Sequence, residues 1–403
     1  MRILLIAPNC DGEDVGEAWF AFQWASRLAL RHEVTLLTYH KRNRTPARQQ
    51  LNGLRVIEWK EPPLVGRAER LNSMLAPGYL PFYWRARSWI RSALRRGECF
   101  DIIHQPVPEA MRYPCPAMGF NIPVIIGPVG GGLRSPPAFA AEEAADPWFV
   151  RLRGLDLFRL RHDPLLRRTY EGAACVLGIG SYVEESLRYL RIRRFETMAD
   201  VAIEHVPLAV DRTGRTGPVR ALFVGRLVRT KGVREAVRAV AMCKDLQLTL
   251  DIVGDGPDRA YCVALADELG VTDRVQFHGR KPREAIEEFY RAADVFVFPS
   301  YREPGGSVVL EAMAHGLPLI VCDRGGPSAT VSDACGYKLS VTTPEALSRD
   351  VAAALRRLAT DKASRLNTGR AAYEHLKKTA LWDQKIDRAS ALYAELASLK
   401  PSA

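Results

Sequence analysis

The sequence predicts an α/β protein built as two domains, each a parallel sheet flanked by helices. Three observations carry that expectation. Short apolar runs alternate with longer amphipathic stretches along both halves of the chain, as successive βαβ units require. The 403 residues are more than one compact core serves, and suit two domains of roughly 150–200 residues each. A turn-rich stretch, Thr213-Gly214-Arg215-Thr216-Gly217-Pro218, separates the two series of strands.

In the first half the expected strands are Ile3–Ala7, Glu33–Thr38, Arg55–Glu58, Ile102–His104 and Val124–Ile126, with a helix over Ala18–Arg31. The apolar part of Met1–Pro8 is too short for a secretion signal and reads as the first buried strand. In the second half the strands are Ala221–Gly225, Leu248–Val253, Val275–His278, Val295–Pro299 and Leu319–Cys322. The helices between them are Gly232–Met242, Asp258–Leu269, Arg283–Ala292 and Ser307–His315, and a last helix runs from about Leu381 to Leu399. The join falls between Pro207 and Pro218, which divides the chain into 1–207 and 208–380.

Composition narrows the class. Apolar and charged fractions of 47% and 26% are those of an ordinary globular protein. No apolar stretch of about 20 residues is present, so no transmembrane helix is expected. Cys10, Cys99, Cys115, Cys175, Cys243, Cys262, Cys322 and Cys335 are scattered with no C-x-x-C pair, which argues for a reducing cytoplasm and against zinc.

The chemistry concentrates between Glu303 and Glu311, in Glu-Pro-Gly-Gly-Ser-Val-Val-Leu-Glu. A helix starting near Gly306 leaves Glu303 in the loop before it and puts Glu311 on its second turn, about 7–8 Å along the axis. The amides of Gly305, Gly306 and Ser307 then face outward at a positive helix end, where an anion binds. One carboxylate suits sugar hydroxyls, the amides a diphosphate, and the second carboxylate a ribose. The plain alternative for the spacing alone is a solvated loop acid and a stray helical one.

Tyr301–Leu319 resembles the E-x7-E signature of glycosyltransferase family 4, the retaining nucleotide-sugar transferases of the GT-B fold. Three further segments resemble the family in order: Ala221–Gly225 followed by Arg226 and by Lys231-Gly232, then Leu250–Pro257 with Gly254, then Val275–Arg280 with the loop to Pro282. The resemblance implies two Rossmann-like domains with parallel sheets facing across a central cleft, the first binding the acceptor and the second the donor, and a tail at 381–403 that crosses back onto the first domain. It implies that Arg226 and Lys231 neutralise the donor diphosphate and act with Glu303 in catalysis. Around the donor it places Gly16, Gly225, Gly254, His278, Gly279, Arg280, Lys281, Pro304, Gly305, Gly306, Ser307, Val308 and Glu311. A hexose-type sugar would pass from a UDP- or GDP-linked donor to a hydroxyl of a glycan, lipid-linked or small-molecule acceptor, with retention, no metal and no cofactor. Retention in the family is attributed to same-face attack assisted by the leaving phosphate.

The first half departs from the family. A glycine pair is usual after the first strand, and here only Gly16 stands near that place, as a phosphate contact or a plain turn. A histidine usual after the strand Val124–Ile126 is replaced by Gly127-Pro128-Val129-Gly130-Gly131-Gly132, in which Gly130 and Gly131 offer backbone groups to an acceptor or serve as a lid hinge. His104 stands at another strand end, as an acceptor-side residue or a satisfied structural one. These departures leave open a binding protein that has lost catalysis.

The net charge of +11 asks for a partner. Trp84–Arg96, and Trp148–Arg153 running on to Leu165–Arg168, mix arginine with large apolar residues. Such a mixture suits a peripheral helix on an anionic inner leaflet, or a solvated face over a buried stripe; a membrane-surface scaffold is the reading without catalysis. No nucleic-acid-binding module is recognisable, so no nucleic acid is expected.

Overall fold

The computed structural model describes residues 1–14, 16–42, 44–62, 78–140, 142 and 154–399. The chain forms two compact units. The first holds the described residues of Met1–Gly132, Phe149–Asp200 and Trp382–Ala403; the second holds those of Leu133–Trp148 and Val201–Leu381. Against the reading 1–207 and 208–380, the described residues of Leu133–Trp148 and of Val201–Pro207 group with the second unit.

The first unit carries seven parallel strands in the order β3-β2-β1-β4-β5-β6-β7. These are β1 (Arg2–Asn9), β2 (Glu33–His40), β3 (Arg55–Lys60), β4 (Ile102–Gln105), β5 (Val124–Val129), β6 (Cys175–Gly178) and β7 (Phe195–Thr197). The second carries six in the order β10-β9-β8-β11-β12-β13, with β8 (Val219–Val224), β9 (Leu248–Val253), β10 (Val275–Gly279), β11 (Val295–Phe298), β12 (Leu319–Cys322) and β13 (Gly336–Leu339). In each sheet the order reverses beside the first strand, at β1/β4 and at β8/β11. Beyond the carboxyl ends of that pair the following segments leave for opposite faces and open a crevice.

The central strands are apolar along their whole length because helices cover both faces. Ile3 to Ala7 and Val295 to Phe298 are all at most 1% exposed. Sequence reading passes over β6, β7 and β13, which have four, three and four residues. All eight cysteines are free, and all but Cys99 are buried.

The helix Trp382–Ser398 closes the first unit. Trp382 lies edge-on to Trp24 of the helix Glu17–Ala29, with ring centroids 6.0 Å apart. His104, on β4 and 0% exposed, is held between this helix and β5: Nε2 donates to the Gly127 carbonyl at 2.6 Å, and Tyr393 Oη donates to Nδ1 at 2.6 Å. Both ring nitrogens are used, so His104 is a structural histidine and not an acceptor contact. The expected glycine loop is also shorter than its sequence suggests. Gly127 to Val129 belong to β5, Gly130 bridges Ala110, and only Gly131 and Gly132 lie beyond.

Burial lowers the His104 pKa to about 4. Between about 4 and the usual 6.5 the unfolded chain binds the proton and the folded one does not, so stability falls as pH drops through that window. The full effect is about 3 kcal/mol. Chemical denaturation at pH 6.5 and 4.5 will show this loss, and His104→Gln, which keeps a donor for Gly127, will flatten it; an unchanged slope in the variant would assign the loss to other groups.

Candidate functional site

In the second unit, β8 ends at Val224 and β11 at Phe298, and the loops that follow carry most of the candidate residues. After β8 come Gly225 and the exposed Arg226, then a turn Arg229–Lys231 closed by Gly232 in the left-handed region at φ 75°. A Cβ on Gly232 would stand 2.1 Å from the Pro299 carbonyl oxygen. Only glycine lets this turn lie against the loop after β11. That approach brings Lys231 Nζ into an ion pair with Glu303 Oε2 and 5.5 Å from the centre of the Phe298 ring.

The Glu303 loop is braced from its other side. The Gly326 amide donates to the Glu303 carbonyl at 3.0 Å, and side chains at Gly325 or Gly326 would collide with the carbonyls of Glu303 and Gly305. Gly306, at φ 99°, then starts the helix Ser307–Ala314, whose amino end no side chain caps. Pro304 and Ser307 are exposed; Gly305, Gly306 and Val308 are half-buried. Glu311, on the second turn, accepts from Tyr290 Oη at 2.9 Å. Burial, with Glu311 beside it, pushes the Tyr290 phenol well up, so it stays a donor.

The remaining donor-side candidates sit after β9 and β10. Gly254 packs on Gly225, where a Cβ would meet the Gly225 oxygen at 1.8 Å. His278 Nε2 donates to Asp251 Oδ1 at 2.6 Å and lies beside Phe289, with centroids 4.6 Å apart. Gly279 is half-buried, and Arg280 and Lys281 are exposed. The structure thus pairs Lys231 with Glu303 directly and places Glu311 behind the uncapped helix end. It also gives one oxygen of Glu303 a partner, Lys231, that the sequence reading did not assign to it.

Sequence reasoning missed the brace beneath this site. Arg229, 7% exposed, makes two hydrogen bonds to Glu235, at 2.9 and 2.6 Å, and a third to Glu142 at 2.7 Å. Glu142 also reaches Arg234 at 3.1 Å. Phe139 and Tyr301 lie 4.2 Å apart, each 5.4 Å from the Arg229 guanidinium. Arg302 donates to Ser135 Oγ at 3.2 Å. The stretch 133–142 thereby touches the residues just before Lys231 and just before Glu303. Its sequence, a proline pair followed by Phe139 and Glu142, matches no recognisable motif.

In the first unit, Gly16 is exposed at φ 68° and precedes the helix Glu17–Ala29. Glu17 Oε1 accepts the Glu109 amide at 3.2 Å. Burial, with Asp200 and Glu17 nearby, pushes the Glu109 carboxyl well above the usual range. Lys385 Nζ donates to the Asp200 carbonyl at 2.6 Å, between the Trp24 and Trp382 rings, and burial lowers its pKa to about 7. Among the described residues no cluster of three or more His, Cys, Asp or Glu is arranged to hold a metal ion.

Comparison with known proteins gives a consistent result. The family described as "Glycosyl transferases group 1" matches residues 211–375, and that described as "Glycosyl transferase 4-like domain" matches 16–199. A 2-deoxystreptamine glucosyltransferase of Streptomyces kanamyceticus is 43% identical over 117 residues, 28% of this chain and 30% of that protein. A D-inositol 3-phosphate glycosyltransferase of Corynebacterium jeikeium is 36% identical over 184 residues, 43% of each chain. The matches thus span less than half of these relatives' length. Among solved structures, sucrose-phosphate synthase of Thermosynechococcus elongatus superposes with a TM-score of 0.64 at 21% identity, covering 98% of this chain and 99% of that one. Anabaena HepE in complex with UDP gives 0.64 at 16%, covering 98% and 99%. At such identities the superpositions establish the fold alone.

If 133–142 braces the Lys231 and Glu303 loops, Phe139→Ala will speed hydrogen exchange at the Tyr301 amide, which bonds the Thr230 carbonyl at 3.2 Å, and at the Gly326 amide. An increase of about tenfold is expected there, with little change at the Gly225 amide bonded to β9. Uniform acceleration across the unit would reduce Phe139 to a general packing residue.

Proposed function

The chain belongs to the glycosyltransferases of the GT-B fold and family 4 type, and from that membership we propose that it moves a hexose-type sugar from a UDP- or GDP-linked donor to an acceptor hydroxyl. The acceptor is a glycan, a lipid-linked saccharide or a small molecule, and the anomeric configuration is retained. One observation carries the reading: Lys231 and Glu303 are paired beside the uncapped end of the helix Ser307–Ala314, with Glu311 on its second turn.

The chemistry follows from charge. As the acceptor oxygen bonds to the anomeric carbon, the bond from that carbon to the diphosphate breaks and negative charge grows on the leaving oxygens. Arg226, Lys231 and the free amides at Gly306 and Ser307 offset that charge, and no metal is needed for it. The acceptor proton passes to the leaving phosphate. Glu303 holds Lys231 with one oxygen and leaves the other for sugar hydroxyls, while Glu311 takes the ribose. The named relatives act on a deoxystreptamine and an inositol phosphate, which supports a polyhydroxylated acceptor.

A peripheral membrane contact is the second part of the proposal. The helix Tyr79–Arg95 turns Leu80, Trp84, Ser88, Arg91 and Arg95 to solvent along one stripe; Trp84 is 61% exposed. Arg87 is not part of it, because it donates to the carbonyls of Pro116 and Met118 at 2.9 Å. The Trp148–Arg153 part of the second basic segment lies outside the described residues. No described helix is long and apolar enough to cross a membrane.

Three measurements test these readings. In a thermal-shift screen of UDP-, GDP- and ADP-sugars, at least one donor will raise the melting temperature in proportion to its affinity; no shift with any of them sinks the donor site. Glu303→Ala will lower turnover by about a hundredfold yet hold or raise UDP affinity, since a carboxylate beside the diphosphate is removed. Glu311→Ala will weaken UDP binding by about tenfold, and equal loss of both properties in both variants rejects this division. Liposomes with anionic lipid will float the protein and zwitterionic ones will not, with Trp84→Ala/Arg91→Ala reducing flotation; indifference to lipid charge rejects the contact.

A further inference from the structure

The carboxylate of Glu311 is held at one oxygen and open at the other. Tyr290 Oη donates to Glu311 Oε2 at 2.9 Å, and no hydrogen bond reaches Oε1 among the described residues. Oε1 is not one of the buried atoms that lack a partner, so it lies where a ligand can reach it. The Tyr290 hydroxyl is also 3.4 Å from the Val308 carbonyl. It carries a single proton, and the carboxylate at the shorter distance is the stronger acceptor.

Tyr290 is itself fixed on several sides. It is the buried residue of the helix Arg283–Ala292. Its ring stacks on that of His315, with centroids 5.2 Å apart and planes at 13°, and lies 5.9 Å from Phe296 of β11. His315 Nδ1 donates in turn to the Glu311 carbonyl at 2.8 Å. Arg212, also buried, joins the same parts: Nη2 donates to the Tyr290 carbonyl at 3.0 Å, Nε to that of Ala293 at 2.7 Å and Nη1 to that of His315 at 2.7 Å. The carboxyl end of the Tyr290 helix is thereby tied to the end of the Glu311 helix, and the phenol meets the carboxylate from a set position. A glutamate loses the freedom of three rotatable bonds when it grips a ligand. Here part of that freedom is already gone before a ligand arrives. The free oxygen keeps two lone pairs, enough for both hydroxyls of one ribose.

We propose that Tyr290 is a positioning residue of the donor site: by holding Glu311 Oε2 it turns Oε1 to the two ribose hydroxyls, and so sets a preference for a ribonucleotide over one that lacks them. The inference rests on the reading of Glu311 as the ribose ligand, and adds to it a residue that touches no part of the substrate.

The test is calorimetry on the full chain with UDP and 2′,3′-dideoxy-UDP, and with the matching GDP pair. The unaltered protein will bind the ribonucleotide about tenfold more tightly than its dideoxy analogue. Tyr290→Phe keeps the ring and its stack on His315 and removes only the hydroxyl. It will weaken the ribonucleotide about fivefold and leave the dideoxy analogue within about twofold, so the ratio between them falls. Its melting temperature, read alongside, will stay within a few degrees of the unaltered protein's. Glu311→Ala will abolish the ratio, and adding Tyr290→Phe to it will change neither affinity further. A role in packing alone would weaken both nucleotides alike and would persist in the double variant. With the ratio lost in Glu311→Ala, an unchanged ratio in Tyr290→Phe or a further loss in the double variant overturns the proposal. A ratio that survives Glu311→Ala, or is absent from the unaltered protein, instead removes the ribose reading of Glu311 and the proposal with it.

Discussion

The Lys231 and Glu303 loops of the second unit rest on one buried cation, the guanidinium of Arg229. It is bonded to Glu235 and Glu142 and lies beside Phe139 and Tyr301, so the turn that presents Lys231 and the loop that presents Glu303 share one foundation. Burying such a group is costly, and an apolar cluster of equal volume often stabilises a fold as well or better. What a guanidinium adds is direction, since its planar fork accepts carboxylates only in fixed places. Geometry rather than bulk stability explains why a charge sits there. A displacement of about 1 Å in a catalytic group is enough to cost two orders of magnitude in rate.

The parts of this site legible in the sequence are those fixed by local rules. Glycines at 232 and 306 mark turns whose backbone no other residue adopts as easily, and the apolar runs before them mark the strands that carry those turns. Spacing alone puts Glu303 before a helix and Glu311 on it. What stayed hidden depends on residues distant in sequence. Phe139 and Glu142 meet Arg229 across some 90 positions, and neither forms a pattern with its neighbours. His104 misleads for a related reason: a histidine at a strand end looks available until the last helix brings Tyr393 against it.

The two sheets repeat one strand order, yet their carboxyl ends are furnished oppositely. Beyond β8 and β11 the loops bring cationic side chains and free amides, a setting for a diphosphate. Beyond β1 and β4 stand Glu17 and Glu109 near Asp200, with Lys385 largely stripped of its usual charge advantage by burial. Fold and strand order are therefore silent on which unit takes which substrate; the distinction lies in side chains placed on equivalent loops.

That contrast bears on the net charge of +11. If the excess positive charge served substrate binding alone, it would concentrate at the strand ends of both units. In the first unit carboxylates (Glu17, Glu109 and Asp200) gather beyond β1 and β4, and among the described residues Arg91 and Arg95 lie exposed on the outward stripe of the helix Tyr79–Arg95. On the proposed reading, an anionic lipid surface would act on that stripe by long-range attraction, whereas the acidic strand ends would act at contact distance on the groups of a single acceptor. Screening separates the two roles further, since exposed charges fade over about 8 Å at physiological salt and buried ones do not. A basic exterior and acidic strand ends are thus compatible in one unit, because each works over a range the other does not reach.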